Sequence, residues 1–329
     1  MKKLLTISLI LVLAGALAFA GGGSDSGSRV INITMGNPSN PEDNCVIAFF
    51  HFKEIVEQRS NGRIHVNVAH SGQLGAHRDY MEQMQMGSLE MAEINVAVLS
   101  AFDPKFMVFD LPYVSRSVDH LQRLLDANHG TAFSDSLESR TGVKILGWMI
   151  RSPRNMYISS RPVRNPEDFA GMRVRIMESP VMRRTFELLG AVPVPLAATE
   201  RYMALQTGVV DAAENSTPLV IAQREYEVTR YLSRTEHFIS PNIIAISARF
   251  LNGLPSDLQQ ILVRAGDEAG RYATRLDSES EAEALTELTR LGMTVNSVSD
   301  KTPFVQRVAP IYAEYRDQIG GDLIDAFTR

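Results

Sequence analysis

The chain of 329 residues is nearly devoid of cysteine: Cys45 stands alone, so no internal disulfide can form. Position 21 is glycine, which removes the cysteine that a lipid-anchored exported protein carries directly after its signal. Cys45 falls in an apolar helical pattern and reads as core, not as a nucleophile. There is no polybasic run, and the formal net charge is −5, which argues against nucleic acid or an anionic membrane as partner. The chain also lacks a G-x-S-x-G elbow, a P-loop and an H-E-x-x-H pair. Its seven histidines are scattered, and no spacing of its carboxylates singles out an acid/base pair, so neither metal nor other cofactor is expected. No internal repeat is present, and there is no low-complexity linker beyond residues 21–29.

One long apolar run does occur, at the N-terminus. "MKKLLTISLILVLAGALAFA" has Lys2 and Lys3, an apolar stretch from Leu4, and then Ala18-Phe19-Ala20. That layout is a secretory signal with cleavage after Ala20. A membrane anchor is the alternative, but the run is short for a span and polar "GGGSDSGS" follows at once. Cleavage removes two lysines and takes the charge from −5 to about −7. A free periplasmic protein is therefore expected.

The chain as a whole is 44% hydrophobic and 22% charged, a globular composition. Strands and helices alternate. "VINITMG" and "RIHVNVAH" read as strands, with a helix from Pro41 to Ser60 between them. A Met-rich helix ends at Gly87, "LEMAEINVAV" is strand-like, Ser117 caps a helix, and "VKILGWM" is a further strand. The block 152–240 repeats the alternation, and 255–291 and 304–328 read as helical. The class is α/β, and two such blocks without a clear linker suggest lobes whose chain crosses back and forth, with a cleft between. The lobes expected are 30–151 with about 241–281, and 152–240 with about 282–329.

Within "GMRVRIMESP", residues 171–180, alternation puts Arg173 and Arg175 on one strand face. Arg151 and Arg154 flank Ser152-Pro153. A guanidinium fork matches a carboxylate bidentately. Two readings stay open on the residues alone: solvated surface charges, or one arginine aimed at a buried anion.

The run "GMRVRIMESPVMRRTFELLGAVPVPLAATERYMALQTGVVDAAENS", 171–216, resembles the substrate-binding proteins of tripartite ATP-independent periplasmic (TRAP) transporters, of the dicarboxylate-binding (DctP) type. "SGQLGAHRDYMEQMQMGSLEM", "VFDLPYVSRSVDHLQRLLD" and "RSPRNMYISSRPVRNPEDFAGM" match other family segments, so the resemblance covers essentially the whole chain after the signal. It implies a periplasmic-binding-protein-like fold: two α/β lobes, a hinge with crossing strands, and a long C-terminal helix packed across both. It also implies a non-enzymatic monomer that closes on a small organic acid and delivers it to TRAP permease membrane subunits.

Carried over by position, the family's carboxylate clamp falls on Arg175 and leaves Arg173 as the solvated neighbour. A second arginine falls on Arg154, the asparagine of "EN" on Asn215, and the first strand's end on Asn37. Asn95 stands where sialic-acid binders have an acid, and Ala198 where they have a phenylalanine, which counts against sialic acid. Glu178 could repel a second carboxylate and accept hydroxyls, which points to a sugar acid such as a hexuronate or aldonate; capping or solvent contact is the alternative. His77 is a rim or surface residue. A periplasmic enzyme on an acidic sugar and a ligand sensor docking to a signalling receptor remain as rivals.

Overall fold

The computed structural model describes residues 30–329; the expected signal and linker at 1–29 lie outside the described residues. Two sheets organise it. The first has the order β2-β1-β3-β10-β4, built from β1 (Ile31–Gly36), β2 (Ile64–Ala69), β3 (Met91–Asn95), β4 (Val143–Met149) and β10 (Asn242–Ser247). The second has the order β11-β9-β5-β8-β6-β7. Its strands are β5 (Arg154–Ile158), β6 (Arg173–Ile176), β7 (Val192–Pro195), β8 (Ala212–Asn215), β9 (Tyr231–Phe238) and β11 (Thr294–Ser297). Strand β1 pairs in parallel with β2 and β3, while β10 runs antiparallel between β3 and β4. In the second sheet β6 is parallel to β7 and β8, and β5 is antiparallel to β8 and β9.

The edge strand β2 alternates buried and exposed residues along most of its length, as a one-sided strand must. The inner strands β3, β5 and β10 are buried throughout, and yet they contain Glu93, Asn95, Arg154, Asn155 and Asn242. Buried polar groups need partners, so polar residues on these central strands mark a site before any ligand is considered. Helices begin where the sequence provides caps. Asp43 accepts from the Cys45 amide at the head of Asn44–Arg59, and Ser179 accepts from the Met182 amide ahead of Pro180–Leu188.

The chain passes from the first sheet to the second between β4 and β5, and back between β9 and β10. The helix Ser256–Arg290, 35 residues long, spans about 50 Å at 1.5 Å per residue. Its Leu258, Leu262, Ala265 and Ala269 pack in the first lobe's core, and its Leu288 in the second's. Midway, Asp277 accepts from the Ser152 amide at 2.6 Å and so pins the β4–β5 crossing. The C-terminal helices touch both lobes: Phe304 and Val308 join the second core, and Ile311, Ile319 and Phe327 the first. The architecture is the two-lobed α/β fold that the resemblance implies.

Candidate functional site

A cavity of about 160 Å³ lies between the lobes. From the first lobe Glu93, Asn95, Asn242, Arg151 and His77 reach it; from the second Arg154, Arg201, Asn215 and Glu225. A smaller cavity of about 130 Å³ adjoins it, with His77, Met177 and Ala198 on the walls of both, and Arg175 and Glu178 on its own wall.

Four arginines are buried among the described residues: Arg151, Arg154, Arg175 and Arg201. Three are neutralised in place. Arg154 forks onto Glu214 through Nε and through Nη2 (2.7 Å), and Nη1 donates to Asn215 Oδ1 at 3.1 Å. Burial raises the affinity of Glu214 for its proton, but the charge and hydrogen bonds of Arg154 outweigh burial and hold its pKa at about 2. Arg151 is bidentate on Asp43 at 2.9 and 2.8 Å, and Arg201 Nε donates to Glu225 Oε1.

Arg175 differs. It is 0% exposed, and among the described residues it forms no ion pair with a carboxylate. Its Nε donates to the Leu196 carbonyl at 2.9 Å, Nη2 donates to the same oxygen, and Nη1 has no partner. Burial, and next the charge of Arg201, push its pKa down to about 10, so it stays a cation at neutral pH. Two residues earlier, Arg173 is exposed and bonds Asp211 at 2.6 and 3.0 Å. Alternation cannot separate the two; depth along the strand does, because β6 enters the molecule from Arg173 to Ile176.

The other expected residues fall unevenly. Asn215 ends β8, and its Oδ1 is used by Arg154 and the Ser216 amide, which leaves Nδ2 to donate into the cavity. Asn95 lines the cavity with Oδ1 taken by the Ala97 amide and Nδ2 donating to Asn242 at 2.6 Å. Asn37 is buried and lines neither cavity; its Oδ1 shapes the turn by accepting from the Ser39 amide at 2.8 Å. Glu178 is exposed and borders only the smaller cavity. His77 is 6% exposed, with Nδ1 at 3.2 Å from the Glu93 carbonyl, and burial lowers its pKa to about 4. It is therefore a neutral ring inside the site, where the sequence had it at the rim or surface.

Sequence reasoning passed over Glu93, Asn242, Arg201 and Glu225. Glu93 had a signal, a lone acid inside the apolar "LEMAEINVAV". Arg201 and Glu225 had none, because each looks like any charge in a polar helix until the fold buries both.

With the geometry in place, comparison with known proteins is direct. The family model for bacterial extracellular solute-binding protein, family 7 (DctP), matches residues 35–318. A solute-binding protein of Chromohalobacter salexigens is 30% identical over 278 residues, 84% of this chain and 82% of that one. The crystal structure of a TRAP periplasmic solute-binding protein from Sulfitobacter sp. NAS-14.1 with bound β-D-galacturonate has a TM-score of 0.86 and 30% identity, covering 90% of this chain and 99% of that one. One from Roseobacter denitrificans with bound β-D-glucuronate has a TM-score of 0.86 and 29% identity, covering 90% and 99%. The chain belongs to the DctP family of bacterial extracellular solute-binding proteins.

Proposed function

We propose that this protein is the periplasmic receptor of a TRAP-type transporter and that it captures a sugar acid, such as a hexuronate or aldonate. The carboxylate binds Arg175. Arg154, locked by Glu214, holds Asn215 in place as a second donor on the same lobe, and Asn95 and His77 complete the opposite wall. Asn37 supports the turn that brings Ser39 to the cavity. Closure of the lobes excludes water, which strengthens the charge-assisted bonds. The loaded receptor then docks on the membrane permease. It binds its ligand and does not transform it.

The observation that carries this reading is the buried, unpaired guanidinium of Arg175. A buried charge without a partner is costly, and sites of that kind are functional when the missing partner is a ligand. The uronates bound by the Sulfitobacter and Roseobacter relatives supply the ligand class. Among the described residues no helix is long and apolar enough to cross a membrane, which fits a receptor that works beside its permease.

A thermal-shift screen against hexuronates, aldonates and C4-dicarboxylates tests the reading. A sugar acid at 100 times its Kd should stabilise the folded state by about 2.7 kcal/mol and so raise the melting temperature, and chromatography should recover it unchanged. No shift with any acid, or turnover of the acid, overturns it.

A further inference from the structure

The charges around the main cavity do not balance at random. Arg154 and Arg201 each meet one buried carboxylate, and Arg151 faces Asp43, Asp277 and Glu93 at 2.8, 3.4 and 3.6 Å. Among the four buried arginines of the described residues only Arg175, on the wall of the adjoining smaller cavity, has no carboxylate partner. One anionic group can pair with it there.

Two acids look the other way. Glu93, from the first lobe, is held through Oε1 by Asn242 Nδ2; Glu225, from the second, through Oε1 by Arg201 Nε. Both side chains are 1% exposed and both line the cavity. In each the second oxygen, Oε2, has no hydrogen-bond partner. The buried Tyr157 hydroxyl lies beside Glu225 and the Cys45 thiol beside Glu93, but neither closes a hydrogen bond to Oε2, so each oxygen is open to a donor from the ligand. A second carboxylate brings none and meets like charge. An ammonium would donate, but it would arrive beside the guanidinium that already faces each acid, Arg151 or Arg201. A neutral hydroxyl satisfies the oxygen with neither penalty.

We propose that Glu93 and Glu225 are specificity-determining residues that accept hydrogen bonds from ligand hydroxyls and reject diacids, so that the ligand is a polyhydroxylated monoanion. This rests on the reading of Arg175 as the carboxylate anchor. Burial raises the Glu93 pKa to about 7 against the pull of Arg151, so its carboxylate is charged above neutral pH, where like-charge rejection of a diacid is strongest. The role expected of Glu178 from the sequence thus passes to two acids on the larger cavity.

Galacturonate and galactarate make the test, because both have six carbons and galactarate carries a second carboxylate at C1; galactonate, open-chain like galactarate but with one carboxylate, separates charge from ring shape. Calorimetric titration of the wild-type chain should favour galacturonate over galactarate, and over succinate, by at least about 100-fold, since like-charge contact costs several kcal/mol. E93Q and E225Q keep shape and remove charge, and at least one should narrow the galacturonate-to-galactarate ratio by about tenfold or more. Melting curves identify which variants fold; E93Q, away from the Arg201 ion pair, carries the test if E225Q does not. Wild-type affinity for galactarate or succinate equal to that for galacturonate overturns the inference and leaves the Arg175 anchor standing. An unchanged ratio in the folded variants overturns it likewise. If neither sugar acids nor dicarboxylates bind at all, the proposed function fails, and this inference with it.

Discussion

Asp110 shows how burial alone sets the behaviour of a residue. It is 0% exposed, and neither carboxylate oxygen has a hydrogen-bond partner. Burial pushes its pKa up to about 7, against the pull of Ser179 and Arg154 nearby. A raised acid is protonated in the folded state and ionised in the unfolded state between its two pKa values. Its contribution is therefore complete at low pH and lost as pH rises through 7. Asp110→Asn should raise stability at pH 8 by roughly 2–3 kcal/mol more than at pH 5, read from denaturant midpoints, because pH 5 already lies above the unfolded pKa. Equal effects at both values would contradict this. The same logic separates what was legible at the site from what was not. Arg175 and Arg154 could be placed because the surrounding motif fixes their register. Glu93 and Glu225 could not, because whether an acid is buried depends on neighbours distant in the chain, such as Asn242 for Glu93.

At the scale of elements, the seating of the long helix on β4 is the tightest joint. A Cβ on Gly147 would come 2.1 Å from the Gly266 carbonyl oxygen, and one on Gly266 would come 2.5 Å from Leu146 Cβ. Both positions need glycine for space, since backbone carbonyls cannot give way. Gly147→Ala should lower stability by about 1–3 kcal/mol or more in urea unfolding, through displacement of the helix from the strand. An unchanged midpoint would refute so close a contact. The same helix holds the crossing between lobes through Asp277 and Ser152. Most elements were readable from periodicity: β1, β2, β4 and β6, and the caps at Ser117 and Ser179. Strands β9 and β10 were not. In β9 the buried positions include Ser233, Thr235 and His237, so the inward face is polar and alternation of hydropathy is lost. Strand β10 is buried on both faces and reads as a short apolar run that fits strand or helix equally. The strand-like reading of "LEMAEINVAV" holds only to Asn95, whose side chain caps the turn of helix Val96–Leu99.

At the scale of the whole molecule, two α/β lobes joined by crossing strands and one long helix form a cleft that a ligand can close. In the proposed mechanism ligand binding supplies the free energy of closure, so the closed form is populated chiefly when Arg175 is engaged. All of this depends on one guanidinium. The measurement that tests it most directly is calorimetric titration of the sugar acid found by screening into wild type, Arg175→Ala, Arg175→Lys and Arg173→Ala. Arg175→Ala should lose roughly 2–5 kcal/mol of affinity. Arg175→Lys should also bind more weakly, because the planar fork is gone. Arg173→Ala, which loses only an exposed pair with Asp211, should stay within about 0.5 kcal/mol of wild type. Wild-type affinity in folded Arg175→Ala, or an equal loss in Arg173→Ala, would contradict the account.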